Sequence, residues 1–141
     1  MNLFSFKRPS LNIKSIDRIL LVEPLGLGDA LLMTPTLRSL KESGVKQIDL
    51  LIGSRTRAIF EHNPHVSQIF EWDRSPVIGT LEKWKYFKRV ASLFRELWKN
   101  RHQVMFDFSV GSRYAFLSWL FLGIPIRIGF NFKNRGFFFD P

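Results

Sequence analysis

The sequence contains no cysteine, which excludes disulfides, thiolate metal ligands and a cysteine nucleophile. It is also poor in acid. Twelve Asp and Glu face twenty-one Lys and Arg, a formal net charge of +9. An excess of this size points to an anionic partner: nucleic acid, an anionic membrane face or a phosphorylated substrate. A membrane-spanning run is lacking too. The longest apolar stretch, Tyr114 to Ile126, is interrupted by Ser118, Gly123 and Pro125 and falls short of the ~18 residues a span needs. Met1 to Asp17 carries Phe4, Phe6, Lys7, Arg8 and Pro9, without the apolar core of ~7–15 residues that marks a signal peptide. The expected location is cytoplasmic, either free or peripheral on the inner face of the cytoplasmic membrane.

What is present is a regular alternation. With 141 residues, 45% of them hydrophobic, the chain has material for one domain with its own core and too little for two α/β domains. After a flexible basic leader (1–17), Arg18 to Val22 is an apolar run closed by Pro24 and Gly26, the pattern of a buried strand. A helix opens at Gly28-Asp29 and stops at Gly44. Pro35 either kinks it or is the first residue of a helix capped by Thr34. Gln47 to Gly53 is a second strand, Ser54 caps a short helix ending at Asn63-Pro64, and Val66 to Trp72 is a third strand. Asp73 to Thr80 is a loop. Leu81, Trp84, Phe87, Ala91, Phe94 and Trp98 then recur at helical spacing, an arrangement expected to pack those aromatics on a sheet. Val104 to Ser109 is a fourth strand, Ser112 to Leu122 an apolar and hence buried helix, and Ile126 to Phe130 a fifth strand.

Strands alternating with helices imply an α/β fold, a Rossmann-like parallel sheet of about five strands with helices on both faces, over residues 18–130. The remainder, 131–141, is a tail. Phe130, Phe132, Phe137, Phe138 and Phe139 crowd this end, as in surfaces that meet a partner domain.

The chemistry-bearing segment is Glu23 to Pro35, at the carboxyl edge where open α/β sheets bind ligands. It is a poor nucleotide loop. Leu31 stands where a third glycine is needed, no Walker lysine follows, and Asp29 puts negative charge where a pyrophosphate would dock. Asp29 fits better as the resident anion, its ionised form favoured by the helix dipole. Gly26 and Gly28 let a substrate approach the backbone closely. A carboxylate held there can accept a proton from a sugar hydroxyl attacking an anomeric carbon. The competing reading makes Asp29 an N-cap and nothing more.

Ile19 to Val22, Leu27-Gly28-Asp29, Thr34-Pro35 and Leu37-Arg38-Ser39-Leu40 together resemble the amino-terminal signature of glycosyltransferase family 9, the lipopolysaccharide heptosyltransferases. Ile48 to Gly53, Asn63-Pro64, Asp107 with Ser112-Arg113, Gly123 and Arg127 to Phe130 continue the resemblance in order. It implies the amino-terminal half of a two-domain, glycosyltransferase B-type fold. In that family this half binds the acceptor, and the carboxyl-terminal half binds a nucleotide-sugar, typically ADP-heptose. The resemblance makes Asp29 the catalytic base of an inverting, single-displacement transfer to a phosphorylated, lipid-linked glycan acceptor. On this reading the donor domain is missing, the tail leads towards it, and the chain is expected to be inactive alone. Glu23, Pro24 and Leu25 depart from the family, which often has an arginine and a small residue ahead of the glycine turn. The alternatives are a non-catalytic binding module or split-enzyme subunit, and a basic nucleic-acid-binding domain.

Between Arg74 and Arg101 lie Lys83, Lys85, Lys88, Arg89, Arg95 and Lys99, against Glu82 and Glu96 alone. Three readings compete: a solvated helix face, a surface for a phosphorylated acceptor or anionic leaflet, and a nucleic-acid surface. The last is disfavoured if the interleaved aromatics pack on the sheet. Arg74, Ser112 and Arg113 join Gly26 and Gly28 as substrate-binding candidates, Arg113 offering a guanidinium to an acceptor phosphate or sugar. His62, His65 and His102 lack a carboxylate-rich neighbourhood and ligand spacing, so no metal is expected, and no cofactor is implied.

Overall fold

The computed structural model describes residues 12–24, 26–72, 79–109 and 117–129. Five parallel strands, β1 (Arg18–Glu23), β2 (Gln47–Ile52), β3 (Gln68–Glu71), β4 (Val104–Asp107) and β5 (Ile126–Gly129), form one sheet in the order β3-β2-β1-β4-β5. Ile19 stands opposite Ile48 on one side and Val104 on the other. The Rossmann-like class expected from the sequence is therefore observed.

Alternation along the strands sorts the core into two layers. Ile19, Leu21, Ile48, Leu50 and Ile52 point to one face, where helix α1 (Leu27–Glu42) adds Ala30, Met33, Leu37 and Leu40, and the short helix α2 (Arg57–Phe60) adds Phe60. Leu20, Val22, Leu51, Phe70 and Met105 point to the other, under Leu97 of helix α3 (Thr80–Asn100).

The ends of α1 show how local sequence sets the boundaries. Gly44 has φ +98°, a conformation that glycine tolerates best. There its N–H reaches Lys41 O (3.1 Å) and the Val45 N–H reaches Leu40 O (3.2 Å), satisfying the last carbonyls as a Schellman motif. Pro35 does not divide the helix, which runs uninterrupted past it. Thr34 is thus an interior residue and caps nothing.

Other expectations are corrected. Asn12 to Asp17 is not loose leader: Asn12 caps a 3-10 turn, Ile16 is buried, and the Asp17 carbonyl accepts from Lys46 and Gln47 N–H. Ser54 is not a cap but the first residue of a 3-10 turn, Ser54–Thr56, closed by the Thr56 hydroxyl donating to Gly53 O (2.8 Å).

The largest correction concerns α3. Trp84, Phe87 and Trp98 are exposed (57%, 63% and 52%), and the helix meets the sheet instead through Leu93 and Leu97, with Tyr86 and Phe94 against Trp72 just beyond β3. Smaller side chains fit the space above Leu20, Leu51 and Met105, and Trp84, Phe87 and Trp98 turn outward, whereas Phe94 of the same stripe is half-buried against the Trp72 and Phe121 rings. The described end of the apolar helix after β4, a π-helical turn at Ser118–Leu122, likewise leaves Leu120 and Phe121 exposed rather than buried. No helix among the described residues is long and apolar enough to cross a membrane.

Candidate functional site

Chain order creates the site. From β1 the chain passes through α1 to β2 on one side, and from β3 it returns through α3 to β4 on the other. The connections that leave the carboxyl ends of β1 and β4 lead to opposite faces of the sheet, α1 to one and Leu122 to the other, and it is in the crevice expected between such connections that open α/β sheets bind ligands. Val22 pairs with Asp107 at this edge.

The turn from β1 into α1 is built by Glu23 and Gly26. Glu23 is buried at the strand's end, and its Oε1 accepts the Gly26 N–H at 3.3 Å. Gly26 is the N-cap, with extended backbone, and its carbonyl accepts the Ala30 N–H at 3.0 Å. Asp29 is therefore not the cap. It is the third helical residue, and its carboxylate folds back over Gly26. A Cβ at Gly26 would lie 2.8 Å from Asp29 Oδ2, so the absent side chain is what lets the carboxylate rest there. No such crowding applies at Gly28, which borders open space. Gly28 and Asp29 are both exposed. The first amides of α1 have no intrahelical acceptor and carry the positive end of the dipole. The result is an accessible carboxylate beside free-standing N–H donors, suited to taking a proton from a bound hydroxyl.

Asp107, at the end of β4, plays a different part. It is buried, and its Oδ1 accepts both the N–H (2.9 Å) and the hydroxyl of Ser109, fixing the turn that leaves the strand. The sequence-expected residues Gly26, Gly28 and Asp29 are thus brought together at the head of α1. Arg74, Ser112 and Arg113 lie outside the described residues, as do 1–11 and the aromatic positions from 130 onward.

A second polar cluster was not foreseen. His102, thought to lack a carboxylate neighbour, has its Nε2 2.8 Å from Asp49 Oδ2, both side chains fully buried. The same oxygen accepts from Gln47 Nε2 (2.8 Å) and, at longer range, Asn100 Nδ2 (3.4 Å), which also donates to Gln68 Oε1 at 2.8 Å. Asp49 shares the face of Leu51 by strand alternation, so this network ties the carboxyl end of α3 to the sheet. It sits at the opposite edge from Asp29 and serves structure. Arg57, at the start of α2, pairs with Glu71 and, at 3.9 Å, with Glu61.

No family model and no curated protein matches the sequence. Solved structures do. A glycosyl transferase family 9 protein from Veillonella parvula DSM 2008 superposes with a TM-score of 0.61 at 23% identity, over 80% of this chain and 31% of that one. The E. coli ADP-heptose LPS heptosyltransferase II superposes with a TM-score of 0.60 at 18% identity, over 86% of this chain and 33% of that one. The chain thus spans about a third of the length of either structure. The fold of this chain is similar to that of about a third of each of these structures, one of them a glycosyl transferase family 9 protein.

Proposed function

We propose that the chain is the acceptor-binding, catalytic-base unit of an inverting glycosyltransferase. It would act on a phosphorylated, lipid-linked lipopolysaccharide or cell-surface glycan at the inner face of the cytoplasmic membrane. One observation carries the reading: an exposed carboxylate, Asp29, at the head of α1 beside the crevice between β1 and β4. Asp29 takes the proton of the acceptor hydroxyl as that oxygen bonds to the anomeric carbon. The bond from that carbon to the nucleotide diphosphate breaks on the opposite face, and configuration inverts. Gly28 leaves the acceptor room against the backbone and Gly26 leaves room for the Asp29 carboxylate, with Arg74, Ser112 and Arg113 as further acceptor contacts. Heptose from ADP-heptose is the first donor to test, because a fold neighbour uses it by name. The donor is assigned to a second domain, continuous with this one or supplied by another polypeptide, since these residues span about a third of the neighbours.

The test pairs two measurements. Alone, with ADP-heptose and a deacylated inner-core acceptor, the chain is expected to form no product, because the two substrates are not held together. Product above background overturns the need for a second domain. With both domains present, Asp29→Asn is expected to lower turnover ~10²–10⁴-fold while acceptor affinity and melting temperature stay nearly constant. Near-normal turnover reduces Asp29 to a charge that complements the helix dipole.

A further inference from the structure

Helix α3 turns outward the residues that a soluble helix ordinarily hides. Leu81, Trp84, Phe87 and Trp98 are exposed, and Thr80, Lys83, Trp84, Tyr86, Phe87 and Val90 line an open hollow of about 460 Å³. Cations share this face. At about 100° per residue, Lys88, Arg95 and Lys99 fall within about 60° of Trp84, whereas Glu82 and Glu96 fall about 160° and 120° away. Lys88 Nζ stands 5.4 Å from the Trp84 ring and the Arg101 guanidinium 5.2 Å from that of Trp98. The Trp84 and Phe87 rings stack at 6.1 Å.

We propose that the outward face of α3 is a docking surface for an anionic lipid bilayer. Aromatic side chains flanked by lysine and arginine are suited to the headgroup boundary, where the rings enter the acyl edge and the cations remain hydrated among phosphates. A protein partner would have to bury Lys88, Arg95 and Lys99, which is costly without paired acids. Single-stranded nucleic acid would need open ring faces for stacking, but Trp84 and Trp98 each already have a face engaged. The proposal extends the membrane placement suggested above. Its test uses neither donor nor acceptor, so it and the role of Asp29 fail separately.

The experiment is flotation of this chain with phosphatidylcholine vesicles, with and without phosphatidylglycerol, in low and high salt. Binding is expected only to the anionic vesicles and is expected to weaken with salt. The double variant Trp84→Ala/Phe87→Ala and the reversal Lys88→Glu/Arg95→Glu should each lower partitioning by ~tenfold or more. Melting should be unchanged, since these side chains are exposed. The proposal is overturned by any one of several results. These are no binding to anionic vesicles, equal binding by the Trp84/Phe87 variant, displacement from vesicles by an oligonucleotide at matched salt, or self-association that Trp84→Ala abolishes.

Discussion

Helices α1 and α3 cover opposite faces of one sheet, and they divide structure and function differently. In its sixteen residues α1 buries Ala30, Met33, Leu37 and Leu40, whereas α3, with twenty-one, buries Leu97 alone. The first is a core element whose amino end happens to be open, and that open end presents Asp29. The second is fastened by Leu97 and by the Asn100–Asp49–His102 network at its carboxyl end, leaving most of its length facing outward. A helix can therefore contribute by what it buries or by what it withholds from the core.

Substitutions break the comparison in a graded series. The largest effect on stability is expected from Leu37→Ala in α1, where removing a fully buried side chain costs ~2–5 kcal/mol. Phe87→Ala in α3, though it removes a larger group, is expected to stay within ~0.5 kcal/mol. Urea titration of both decides the matter, and equal losses would mean that the stripe on α3 is packed after all. His102→Ala follows, at about 3 kcal/mol, because it takes a hydrogen-bond partner from the buried Asp49 carboxylate. A loss under ~1 kcal/mol in the same titration would show that Gln47 and Asn100 suffice to hold Asp49. Gly26→Ala follows, at about 1 kcal/mol, because alanine is a poorer N-cap than glycine. Its added Cβ displaces the Asp29 carboxylate, so turnover in the two-domain enzyme should fall far more than this loss of stability explains. Unchanged turnover would detach the resting position of Asp29 from its chemistry.

Much of this architecture was legible because strand signals are local. Arg18 to Glu23 and Gln47 to Ile52 are short apolar runs bounded by Pro, Gly or Ser, and nothing remote is needed to recognise them. The head of α1 was legible for the same reason, although which residue caps it was not. Gly26 offers no side-chain cap, and Asp29 next to a glycine looks like one. Pro35 misled in the other direction: a missing N–H weakens one turn, but burial of Met33, Leu37 and Leu40 on either side keeps the helix continuous. The face of α3 was misread because its sequence carries two stripes. The bulkier, through Trp84, Phe87 and Trp98, suggested burial by size. The smaller, through Val90, Leu93 and Leu97, suits the space above the sheet. The Asp49–His102 contact joins residues 53 apart in sequence, and no spacing rule reveals a pair that only the sheet topology assembles.

The position of β1 has a consequence in time. It is the first of the five described strands in chain order and the central one, with β2 on one flank and β4 on the other. Arg18 N–H waits for Gln103, 85 residues later, and Ile19 for Val104. At about 5–20 residues per second of synthesis, that interval lasts roughly 4–17 s. Until then the edge of β1 that pairs with β4 has no strand partner, so the central pairing of the sheet is completed only after α3 has been made.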